Sequence, residues 1–147
     1  MTLLPIGTDL NILRLRIGRQ LRKWMITLNR EGTVDEKLLL TVVLQLNQVS
    51  HLIEEQEERV GLSELNHAAA DIAIQRSSFF PASDFLRKGI KLLGEHAWID
   101  HYPSMLTMSD ALMRMDYCCE RLPVSLEVAN EILEHARFFD DKKWLII

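Results

Sequence analysis

TDLNILRLRIGRQLRKWMITLN (8–29) and VDEKLLLTVVLQLNQVSHLIEEQEERV (34–60), joined only by REGT (30–33), are the stretches whose reading decides the fold. In the first, Leu10, Leu13, Ile17, Leu21, Trp24 and Leu28 recur at steps of three and four, which a helix of about 3.6 residues per turn gathers into one stripe. In the second, Leu39, Val42, Leu46, Val49, Ile53 and Val60 keep that spacing, with Gln56 the one polar interruption. Both stretches read as helices. Thr8-Asp9 can cap the first, Thr33 with Glu36 forms a capping-box pattern, and Gly32 and Gly61 stand where left-handed C-terminal caps fall. So short a linker predicts an antiparallel helical hairpin.

Working outward, the remaining chain divides into shorter helices. One is expected from a Ser63 cap to about Arg76, with Leu65, Ala69, Ile72 and Ala73 inward and a break over Ser77-Ser78-Phe79-Phe80-Pro81. Another runs from Ser83 or Asp84 to Leu93 and ends at Gly94. After a His101-Tyr102-Pro103 turn, a helix from about Met105 to Arg121 is stopped by Pro123, and Ser125 caps the last, which carries Leu126, Ala129, Ile132, Leu133, Phe138 and Phe139. No strand-like alternation and no internal repeat interrupts the pattern. The expectation is all-α: a single-domain helical bundle over residues 1–147, with six or seven helices built on the N-terminal hairpin.

Composition agrees with a soluble globular domain, at 147 residues with 48% hydrophobic and 26% charged side chains. The net charge of −4 argues against a protein that coats nucleic acid with its whole surface. Charge is unevenly spread, however: residues 1–53 hold seven cations against four carboxylates, and residues 54–75 hold one against six. Cys118 and Cys119 are neighbours about 100° apart on a helix, poorly placed to bridge each other, and read as two small buried hydrophobes in a reducing compartment. The start lacks a secretory pattern, and no apolar run reaches the roughly 18 residues a membrane span needs. A cytoplasmic location is expected.

Three features suggest contact with another macromolecule. The first half of the second helix is apolar nearly all round, so Leu40 and Leu44 are candidates for burial against a second copy in a homodimer. Arg16, Arg19, Arg22 and Lys23 make the first helix basic, a footprint that suits an acidic protein, phosphate or an anionic membrane. The plainer reading pairs that face with the Glu54–Glu58 run, which a straight second helix would carry to Arg14 and Arg16. At the C-terminus, Trp144, Leu145 and Ile146 form an apolar tail, expected either to close its own core or to dock on another chain.

Chemical motifs are weak by comparison. Glu64 and His67 have the i, i+3 spacing of helical carboxylate–metal sites, but such sites need a second copy of the motif and two more glutamates. Glu95, His96 and His101 with the two cysteines match no closed zinc pattern. Nucleophile-elbow, phosphate-loop and dinucleotide-turn glycine patterns do not occur. A helix-turn-helix over 109–137 would present Glu127, Asn130, Glu131 and Glu134 to the duplex with Arg137 as its only permanent cation, electrostatically the wrong face. The sequence thus points to a non-catalytic, self-associating protein–protein interaction module acting as a regulator, adaptor or inhibitor, with no metal or cofactor. The alternative is a nucleic-acid-binding regulator that uses the basic face of the first helix.

Overall fold

A computed structural model describes residues 10–29 and 35–137. Among them the protein is all-helical: α1 (Leu10–Asn29), α2 (Glu36–Gln48), α3 (Gln56–Gln75), α4 (Phe79–Leu93), α5 (Ala97–Asp100), α6 (Tyr102–Cys118) and α7 (Leu122–His135), with a 3-10 turn at Ser50–Leu52 and no strand. The helices form two compact units, divided within α3 between Leu62 and Ser63. The expected Thr8-Asp9 cap, Gly32, Thr33, Phe138, Phe139 and the Trp144-Leu145-Ile146 tail lie outside the described residues.

In the first unit, α1 and α2 pack against each other as the expected hairpin. Gly18 faces Leu46 so closely that a Cβ there would stand 2.5 Å from Leu46 Cδ2. Over residues 10–27 of α1 the buried positions are Leu15 and Gly18, and those of α2 are Leu39, Val42, Val43 and Leu46. The cap of α2 is Asp35 rather than Thr33, because its carboxylate accepts hydrogen bonds from the Lys37 and Leu38 amides and starts the helix there.

A larger correction concerns the second arm, which does not run to Val60. α2 ends at Gln48, and the chain turns a corner through Ser50–Leu52 before α3 begins at Gln56. Val49 and Ile53 are both buried, so the apolar spacing passes through the corner unbroken and conceals it. Gly61 and Ser63, expected to end one helix and cap the next, therefore lie inside α3.

The second unit centres on Gly89. A Cβ at this position of α4 would stand 3.1 Å from Met108 Sδ of α6 and 3.3 Å from the Ser63 carbonyl oxygen of α3. Ser63 donates its hydroxyl to the Gly89 carbonyl at 2.7 Å, so three helices converge where any larger residue would press on its neighbours. α6 packs against both α4 and α7. α4 begins at Phe79, four residues before the expected Ser83, and α6 at Tyr102, three before Met105, so Pro81 and Pro103 stand in first turns. Ser125 does not cap α7, which starts at Leu122; its buried hydroxyl donates instead to the Met113 carbonyl at 2.8 Å. Of the apolar residues that α7 carries, Ile132 is buried, whereas Leu126 and Leu133 are exposed.

Candidate functional site

α1 packs through a different face from the one its apolar stripe suggests. Leu15 is 8% exposed and Gly18 is buried, whereas Leu10, Ile17 and Trp24 of the stripe are 57%, 46% and 59% exposed. The two faces lie about 130° apart on the wheel. Close approach at the missing Gly18 side chain brings α2 onto the glycine face, and the more apolar stripe is left in water. Leu13 and Leu21, between the exposed three, are half-buried. Gly18 itself was the available signal: a glycine within a strong helical pattern marks a place where another backbone or side chain comes near.

The basic residues separate into two groups. Arg19 grips Glu58 with two parallel hydrogen bonds, Nε to Oε1 at 2.7 Å and Nη2 to Oε2 at 3.1 Å. That hydrogen bond is the main cause holding the Arg19 pKa above its ordinary value, with burial opposing and the Glu58 and Glu55 charges adding to it. Arg22 lies over Gly61, whose missing side chain leaves room for the guanidinium. Arg22 and Lys23 border an open groove with Glu55, Glu57 and Glu58. The glutamate run therefore meets the Arg19–Lys23 segment rather than Arg14 and Arg16, because α2 ends at Gln48 and the chain turns through Ser50–Leu52 before Glu55, Glu57 and Glu58. Arg16 is exposed and makes no ion pair among the described residues.

Of the proposed self-association pair on α2, Leu44 is 49% exposed and Leu40 is half-buried. Elsewhere the sequence candidates do not converge. His67 pairs loosely with Asp71 at 3.9 Å while Glu64 points to solvent, and no group of three or more His, Cys, Asp or Glu able to hold a metal occurs among the described residues. The cysteines are free, Cys118 exposed and Cys119 half-buried, contrary to the buried positions expected. Met115 and Asp116 take the inward places in that last turn of α6.

Sequence reasoning missed two polar arrangements. Asp116, wholly buried on α6, is bound through Oδ2 to Arg87 Nη2 of α4, and Arg87 also donates to Ser83 Oγ at 3.3 Å. At the end of α7, His135 stacks on Trp98 with ring centroids 4.9 Å apart, and the Arg137 guanidinium covers Tyr102 while donating to the Trp98 carbonyl at 3.1 Å. Arg137, the lone cation of the would-be recognition helix, is thereby committed to internal contacts. Glu127, Asn130, Glu131 and Glu134 remain exposed on α7.

No protein-family model, no curated protein and no solved structure matches this chain. No helix among the described residues is long and apolar enough to cross a membrane.

Proposed function

We propose that the protein is a non-catalytic interaction module, a small regulator, adaptor or inhibitor that binds other protein surfaces and associates with itself. The observation that carries this reading is the row Leu10, Ile17 and Trp24, uncovered on a helix whose opposite side is already anchored. Exposed apolar residues scattered singly need no explanation, but a row at seven-residue spacing along one helix is the arrangement that meets a second helix. Leu44 on α2 offers a further apolar contact.

The test is site-specific photocrosslinking in the cells that make the protein, with benzoylphenylalanine at position 17, at position 44 and at the exposed polar position 48. Protein adducts at 17 or 44 and none at 48 are expected. Equal capture at all three, or none at 17 and 44, would sink the interaction-module reading.

A further inference from the structure

Two helices leave apolar rows in solvent, and the rows are edged by opposite charges. On α1 the row is Leu10, Ile17 and Trp24, with exposed Arg16 and Lys23 beside it. On α7 it is Leu122, Leu126 and Leu133, 51%, 55% and 40% exposed, with exposed Glu127 and Glu134 beside it. None of these four charged side chains makes an ion pair among the described residues. α1 carries Arg14, Arg16, Arg19, Arg22 and Lys23 and no carboxylate, so it repels another α1, and the glutamates of α7 likewise repel another α7.

We infer that the occupant of the α1 row is a second copy of this chain, whose α7 lies parallel along it. The direction follows from handedness. Viewed from each N-terminus, the cations stand about 110° counter-clockwise of the α1 row and the glutamates about 110° clockwise of the α7 row. Rows set face to face bring such flanks to the same side only if the helices run in the same direction. The spacing agrees as well: Arg16 to Lys23 and Glu127 to Glu134 are both steps of seven, about 10.5 Å. Setting Arg16 beside Glu127 therefore sets Lys23 beside Glu134. That register places Leu126 between Leu13 and Ile17, and Leu133 between Leu21 and Trp24, as knobs enter holes.

The inference rests on the reading that uncovered apolar faces are contact surfaces, and its test separates the two. Sedimentation velocity of the full chain at low salt is expected to show an assembly. Arg16→Glu with Lys23→Glu, or Glu127→Lys with Glu134→Lys, should weaken it by about tenfold or more. Combining all four substitutions should restore it. All four positions are exposed, so helicity by circular dichroism should not change. Failure of the fourfold variant to reassociate, or indifference to either charge pair, overturns the α1–α7 pairing. If Leu44→Glu alone dissociates the assembly, self-association stands and this pairing falls.

A check that changes no charge uses a photocrosslinker at position 17 in a mixture of isotopically heavy and light protein. Adducts joining position 17 to peptides of 122–135 in heavy–light pairs are expected. Adducts confined to same-isotope pairs, or to other peptides, overturn the inference. So does a monomer that instead binds phosphatidylserine–phosphatidylcholine vesicles through Arg16 and Lys23.

Discussion

The clearest single-residue commitment is Asp116. Its side chain is 0% exposed, and among the described residues Oδ1 accepts no hydrogen bond and Arg87 is its only charge partner. Arg87, by contrast, is 34% exposed and has access to water. Removing one member of such a pair is costly when the member left behind is buried and charged. Arg87→Met should therefore destabilise the protein by about 3 kcal/mol, because it strands the carboxylate. Asp116→Asn leaves an amide of the same shape and an arginine free to turn outward, and should cost about 1–2 kcal/mol. The Arg87→Met, Asp116→Asn double variant should lose less than the two separate losses summed, since no charge remains inside. Urea denaturation of the three variants measures the order, and a larger loss for Asp116→Asn than for Arg87→Met would refute this account.

At the scale of elements, helix existence was legible and helix ends were not. Periodicity identifies α1, α2, α3, α4, α6 and α7, because burying one face imposes that spacing whatever the ends do, but it gives no sign of the four-residue α5, too short to show a period. The ends failed for particular reasons. Pro81, Pro103 and Pro123 read in the sequence as breakers or turns, yet each lies in a first turn, where a missing amide hydrogen leaves no helical bond unmade. α3 and α6 close with Ser77 and Glu120 in the left-handed region, at φ 57° and 60°, and with the Ser78 and Arg121 amides donating back to the Ala73 and Asp116 carbonyls. These are the closures usually announced by glycine, here without one. Gly94 was read correctly as the end of α4. Its φ of 90° with ψ of −179° is a region that side chains avoid, and no atom lies within 4 Å of a Cβ built there. Gly94→Ala should thus cost about 1–3 kcal/mol from the backbone alone. A thermal midpoint equal to that of the unaltered protein would show that the loop relaxes. The candidate surface was half legible: the stripe on α1 was plain in the sequence, but ranking faces by hydrophobicity assigned it to the core, whereas Gly18 decided which face α2 could approach.

For the whole molecule, the consequence is that the most hydrophobic face of α1 adds little to folding. Burial stabilises in proportion to the apolar area taken from water, and Ile17 and Trp24 remain about half exposed in the folded chain. Glutamate at both positions should therefore leave the helical signal intact and shift the unfolding free energy by no more than about 1 kcal/mol. Leu15 is almost fully buried on the side facing α2, and Leu15→Glu should cost several times more, about 3 kcal/mol or above, because a carboxylate there is desolvated among apolar neighbours. The charges point the same way: α1 carries no carboxylate of its own, so two added on its outer face sit among arginines and are not repelled. Chemical denaturation of both variants at one salt concentration decides between the faces. Equal losses would mean that the stripe is part of the folded core after all, and that its exposure is not available to any partner. A large loss for Leu15→Glu beside a negligible one for Ile17→Glu with Trp24→Glu would mean that selection for folding alone does not account for a row of leucine, isoleucine and tryptophan held in water.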